Sequence, residues 1–132
     1  MFAPSDRIGP AASRPTITQV GYDEHLAGRI RALLADEPDV RERAMFGGLA
    51  FLVAGNMAIA ASREGGVLVR VDPAVSDRLV GSTTAAVAVM GGRSMAGWLR
   101  VPADDVATAR QLRRWTRLGV GYARSLPVKL TG

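Results

Sequence analysis

The chain of 132 residues has no cysteine. That excludes a disulfide scaffold, a thiolate zinc site and a cysteine nucleophile, and it fits a reducing compartment. Histidine occurs once, at His25, so a His-rich metal cluster is excluded too. No apolar run approaches the roughly 20 residues that a membrane helix needs. Met1 to Ser13 carries Pro4, Asp6, Arg7 and Pro10 around no apolar centre, which does not fit a secretory leader. The expected location is therefore the cytoplasm, away from any membrane. Lysine is nearly missing: the basic residues are sixteen arginines and Lys129, set against 12 acids for a net charge of +5.

What is present is a globular composition. Hydrophobic residues make up 48% of the chain, too many for a disordered protein. One domain is expected at this length, and roughly 110 ordered residues bury enough surface to need no metal or disulfide staple. Arginine suits bidentate contacts to phosphate and carboxylate. However, arginine, alanine, glycine and valine are together abundant, as in chains encoded by GC-rich genes. The basic balance therefore permits a nucleic-acid partner without pointing to one.

Residues 1–21, with Pro4, Pro10 and Pro15, read as a flexible extension, and residues 22–129 as the domain. Leu26, Ile30, Leu33 and Leu34 fall at helical spacing behind Asp23 and Glu24, in a helix that ends before Pro38. Val40 to Phe46 alternates as a strand, and Gly47-Gly48 breaks it. Leu49–Val53, the turn Ala54-Gly55-Asn56 and Met57–Ala61 form a hairpin; a second turn at Arg63 to Gly66 leads to Val67–Val71. Asp72-Pro73 caps a short helix that is expected to stop at Gly81. Strands follow at Ala86–Met90 and Ala96–Val101. Asp104 or Asp105 is then expected to cap a long helix reaching about Leu126. Short links between strands imply an antiparallel sheet with helices packed on it, an α+β fold.

The last helix is two-sided. Leu112, Trp115, Gly119, Tyr122 and Leu126 fall on one side; Arg110, Arg113, Arg114, Arg117 and Arg124 fall on the other. No acid follows Asp105 in this helix, so the arginines repel one another at i, i+3 and i+4. The stripe points to an acidic partner: a phosphate backbone, an acidic protein surface or acids elsewhere in the fold. The plain alternative is a solvated face. Gly119 weakens the helix but lets another element approach its apolar side.

Catalytic arrangements are missing. His25 has neither a nucleophile nor a second ligand at i+4 beside it. Asp104-Asp105 reads as a helix start, and Ser125 lacks a Gly-x-Ser-x-Gly setting. The glycine pairs match no phosphate loop. Met45, Met57, Met90 and Met95 read as core or interface filler. No cofactor and no metal are expected.

An ordered set of short motifs carries a family resemblance. Met45-Phe46-Gly47-Gly48-Leu49-Ala50-Phe51, Gly55-Asn56-Met57 and Leu68-Val69-Arg70-Val71 come first. Gly92-Arg93 with Met95, Gly97 and Trp98 follows, and then a closing segment from Trp115 through Tyr122 to Lys129. The set resembles the TfoX/Sxy N-terminal domain family over about Tyr22 to Lys129. The resemblance implies a curved antiparallel sheet of five to six strands flanked by helices, similar to type III secretion chaperones and YgaC-like proteins. It implies a homodimer as well. These motif residues are expected to be structural, with Phe46 buried and Gly47-Gly48 allowing a bulge or a close crossing. Family members include regulators of natural competence that act with the cyclic-AMP receptor protein, and those carry a second, C-terminal helical domain. This chain stops at Gly132 and resembles the stand-alone N-terminal-domain proteins. No catalytic residue carries over.

The expected function is a non-enzymatic interaction module in transcription regulation, working through protein contacts. A nucleic-acid binder using the Arg110–Arg124 face is the alternative. An enzyme is the second alternative, and would need a pocket with convergent polar groups around Asn56, Arg70 or Arg93.

Overall fold

The computed structural model describes residues 22–45 and 47–129. Phe46 and the 1–21 extension therefore lie outside the described residues. Helix α1 (Glu24–Leu33) is followed by strands β1 (Val40–Met45), β2 (Gly48–Val53), β3 (Asn56–Ala61) and β4 (Val67–Arg70). Helix α2 (Pro73–Ser82), strands β5 (Ala86–Met90) and β6 (Arg93–Val101), a 3-10 turn at Ala103–Val106 and helix α3 (Ala109–Ser125) complete the order. The six strands form one open antiparallel sheet in the order β1-β2-β3-β4-β6-β5. The fold is α+β.

Local chemistry explains most boundaries. Asp23 caps α1, accepting from the backbone N–H of His25 at 2.9 Å and of Leu26 at 3.1 Å. Asp72 caps α2 by accepting from Ala74 N–H at 2.9 Å, with Pro73 at the first helical position where its missing N–H costs nothing. The β2–β3 hairpin turns through Ala54 and Gly55, both at positive φ (51° and 84°), the pairing of signs that matches strand twist.

Four expectations need correction. The long C-terminal helix is not capped by Asp104 or Asp105, which sit in the 3-10 turn. Thr108 caps it instead, through a reciprocal box in which Thr108 Oγ1 accepts from Gln111 N–H and the Gln111 side chain accepts from Thr108 N–H. Helix α2 runs through Gly81 to Ser82, because Gly81 lies exposed with nothing crowding it and a single glycine only weakens a helix. Gly48 and Asn56 belong to strands, not turns. Strand β6 begins at Arg93 instead of Ala96, with a bulge between Met95 and Leu99 that contains Gly97 at φ +86°.

Register separates the two faces of the sheet. Glu42, Phe51, Ile59, Val69, Leu99 and Val87 form one row across it. From Phe51 onward this row joins Leu26, Ile30, Leu79, Leu112 and Trp115 in the main core, so all three helices cover one face. The next row, Arg43, Ala50, Ala60, Leu68, Arg100 and Ala86, lies on the other. There Met45 and Met90, from opposite edges of the sheet, pack into one cluster with Ala50, Leu52, Met57, Ala60, Leu68 and Ala88. The sheet therefore curls over a face whose small alanines leave room for the curvature.

Candidate partner-binding face

The buried side of α3 is set by packing against β3 and β4. Leu112, Trp115, Thr116, Gly119 and Ala123 are buried. Tyr122 and Leu126, expected on this side, are only half-buried. A Cβ on Gly119 would lie 2.3 Å from the Ala58 carbonyl oxygen, so only glycine lets α3 settle this close to β3.

Arg110, Arg113, Arg114, Arg117 and Arg124 are all exposed on the opposite side. One is engaged within the fold. Arg124 donates to Glu37 Oε1 from Nε at 3.2 Å and from Nη2 at 2.8 Å, and to the Pro38 carbonyl at 2.7 Å. It ties the end of α3 to the loop after α1. The other four form no ion pair among the described residues; Arg114 lies over its neighbour Trp115, 5.7 Å from the ring centroid.

Two grooves run beside this helix. One, of about 460 Å³, lies between α1 and α3 and is lined by Leu33, Leu34, Glu37, Arg113, Thr116, Arg117, Val120, Gly121 and Arg124. Thr116 Oγ1 is buried there without a hydrogen-bond partner among the described residues. The other, of about 510 Å³, lies between α2 and α3. Leu79 and Leu118 floor it, and Arg110, Arg113, Arg114 and Arg117 surround that floor.

The remaining motif residues take places of their own. The buried Asn56 amide donates to Pro127 O at 2.9 Å and Ala123 O at 3.4 Å. Gly55 packs so close to Lys129 that a Cβ would sit 1.8 Å from its carbonyl oxygen, and Lys129 N–H donates to Ala54 O at 2.9 Å. Gly55-Asn56-Met57 is thus the clamp that holds the segment after α3. Arg70 is sandwiched between the rings of Trp98 and Tyr122, 5.0 Å and 5.5 Å from their centroids; β4, β6 and α3 each supply one member. Gly48 crosses against Ala61, whose oxygen would be 2.1 Å from a Cβ, and Gly47 turns at φ +77° beside the Arg63 side chain. Met45 and Met90 line a cavity of about 270 Å³ on the curled face with Leu68 and Arg100, the latter bridged to Glu64 at 3.0 Å. Gly92 and Arg93 are exposed at the β5–β6 turn, and His25 is exposed on α1. Neither the two grooves nor this cavity is lined by Asn56, Arg70 or Arg93.

Arg31 donates to both oxygens of Glu42, at 2.5 and 2.8 Å. These hydrogen bonds hold the Glu42 carboxyl below, and the Arg31 guanidinium above, their ordinary values.

The family model of the TfoX N-terminal domain matches residues 32–123, most of the folded part. The chain belongs to this family. The match runs from the last residues of α1 to Ala123 in α3 and so includes the β2–β3 turn, Arg70 with Trp98 and Tyr122, and four of the five stripe arginines; Arg124 lies one residue beyond it. No curated protein and no solved structure matches the chain. Membership suggests a regulatory domain. Among the described residues, no helix is long and apolar enough to cross a membrane.

Sequence reasoning found the arginine stripe but missed three tertiary features of the TfoX N-terminal domain. Glu37 as the acid that engages Arg124 was not legible, since 87 residues separate them. Thr116 carries no mark along the chain, although it is buried. The Arg70 sandwich has no signature along the chain; the one available signal was a lone arginine ending a β-branched strand.

Proposed function

We propose that this TfoX N-terminal domain is a non-enzymatic interaction module of transcription regulation, and that it docks an acidic protein surface on the arginine face of α3. One observation carries the reading. Four exposed arginines that pair with no acid among the described residues surround a groove floored by Leu79 and Leu118. A phosphate backbone needs the charges but has no use for an apolar floor. Stacked bases need aromatic rings between the charges, and positions 110, 113, 114 and 117 are all arginine. An acidic and aliphatic protein surface uses both features, since apolar burial supplies affinity and charge supplies steering and orientation. The setting is the cytoplasm, where the transcription machinery offers such surfaces.

The test is affinity capture by the full chain from a bacterial extract, with and without nuclease and at several salt concentrations, beside the triple variant Arg113→Gln/Arg114→Gln/Arg117→Gln. An acidic protein should be retained after nuclease and lost with the triple variant. Capture that disappears with nuclease and falls steeply with salt assigns the face to nucleic acid and overturns the proposal. So does a captured protein that the triple variant retains equally well.

A further inference from the structure

The curled face of the sheet holds a cleft at one end. The outermost strands are β1 and β5. Met45 ends β1 and Met90 ends β5, yet both line the same cavity of about 270 Å³. Strands spaced by roughly 4.8 Å would keep the two edges of a flat six-stranded sheet far apart, so curvature builds this cavity. Ala60 and Leu68, both buried, form its floor. Met45 and Met90 flank it, and their unbranched, polarisable side chains adapt to the shape of what they enclose. The mouth is polar. Arg100 is half-buried there, bridged to Glu64 at 3.0 Å and donating to Ser62 Oγ at 3.4 Å. Arg63 lines the same mouth, is exposed and forms no ion pair among the described residues. Two guanidinium groups therefore meet one carboxylate, which leaves one positive charge uncompensated.

We propose that this cleft binds a small aliphatic carboxylate, its head at Arg63 and Arg100 and its hydrocarbon tail between Met45 and Met90. The proposal rests on the curled face alone and not on the reading of α3. An apolar lining with a few polar groups converging at one end is the layout of a small-molecule site. A volume of about 270 Å³ falls below the roughly 300–1,000 Å³ of sites for drug-sized ligands, so the ligand is small. Charge selects its head. A monoanion balances the one excess guanidinium, and the planar fork of arginine fits a carboxylate. A phosphate monoester carries close to two negative charges at neutral pH, one more than the mouth compensates, with Glu64 beside it. An amine would meet Arg63 instead of an open acid, because Glu64 is already engaged by Arg100. The tail, lying between Met45 and Met90, bridges the two edge strands. Binding therefore stabilises the curled form of the sheet over the unfolded chain.

Methionine methyl groups report on the cleft directly, since the chain has only 5 methionines. The full chain, labelled with carbon-13 at these methyls, is titrated at neutral pH with hexanoate, hexylamine and hexyl phosphate. Hexanoate at millimolar concentrations should shift the Met45 and Met90 signals saturably, leave Met95 in place and raise the melting temperature. Hexylamine and hexyl phosphate should bind more weakly. Two variants at exposed positions read the head group. Arg63→Gln should weaken hexanoate roughly threefold or more, and Glu64→Gln, which releases Arg100, should tighten it. Both should keep the circular dichroism spectrum of the parent. No saturable shift at Met45 and Met90 overturns the proposal. So does hexylamine or hexyl phosphate binding as well as hexanoate, or Arg63→Gln and Glu64→Gln changing the affinity in the same direction.

Discussion

Two glycines two residues apart in α3 are expected to respond to alanine with opposite signs. In a helix interior, alanine is favoured over glycine by about 1 kcal/mol because it loses less backbone entropy. Gly121 is exposed with nothing within reach of a Cβ, so Gly121→Ala should raise stability by about 0.5–1 kcal/mol. Gly119 meets the Ala58 backbone instead: a Cβ 2.3 Å from a carbonyl oxygen forces α3 away from β3. Overpacking of that kind costs about 1–3 kcal/mol, more than the propensity gain, so Gly119→Ala should lower stability. Urea unfolding of both variants reads the two signs. If Gly119→Ala is as stable as Gly121→Ala, the close approach of helix and strand is wrong.

At the scale of elements, α3 separates holding from binding. Trp115 is 3% exposed in the main core, and Trp115→Ala should cost about 3–5 kcal/mol, the transfer of a large ring plus the cavity it leaves. The triple glutamine variant at positions 113, 114 and 117 should stay within about ±0.5 kcal/mol of the parent, as surface changes away from ion pairs do. Melting curves of the two variants compare the faces of one helix, and an unfolded triple variant would mean that these arginines hold the fold. The link between α1 and β1 gives a pH signature. Arg31 makes Glu42 ionise more readily in the folded chain than in the unfolded one. Its contribution to stability is present above the unfolded carboxyl value and fades as pH falls through the lower folded value. Glu42→Gln should therefore melt slightly below the parent at neutral pH, slightly because both partners are well exposed. The two melting temperatures should converge in acid. A gap that widens on acidification would contradict the ion pair.

At the scale of the whole molecule, the segment after α3 closes the fold against the β2–β3 turn. Pro127 and Lys129 supply an acceptor and a donor to that turn. Deleting residues 127–132 should leave the buried Asn56 amide without its better partner, a loss of about 1–3 kcal/mol. Hydrogen exchange at Asn56 and Met57 should accelerate with it. Unchanged protection there would show that the clamp is dispensable.

Element types were legible along the chain because the apolar spacing switches between the periods of helix and strand, and because caps such as Asp72-Pro73 are short-range chemistry. The hairpin turns followed from glycine placement for the same reason. Boundaries failed where two local signals competed: Thr108 with Gln111 outcompeted Asp104 and Asp105 because a reciprocal cap satisfies two orphan donors. The two sides of α3 were also readable, since 100° per residue is a property of the backbone. Packing partners were not. Glu37 reaches Arg124, Tyr122 and Trp98 enclose Arg70, and Lys129 abuts Gly55 only after distant segments fold together. Edge identity belongs to the same class: β1 and β5 each pair with the strand that follows them, and only the order of strands in the whole sheet decides which backbone groups stay unpaired. The sequence by itself therefore determined the elements and their faces, whose causes lie within a few residues. Tertiary structure decided which charges are engaged and which edges and grooves stay open, because those depend on contacts between residues far apart in the chain.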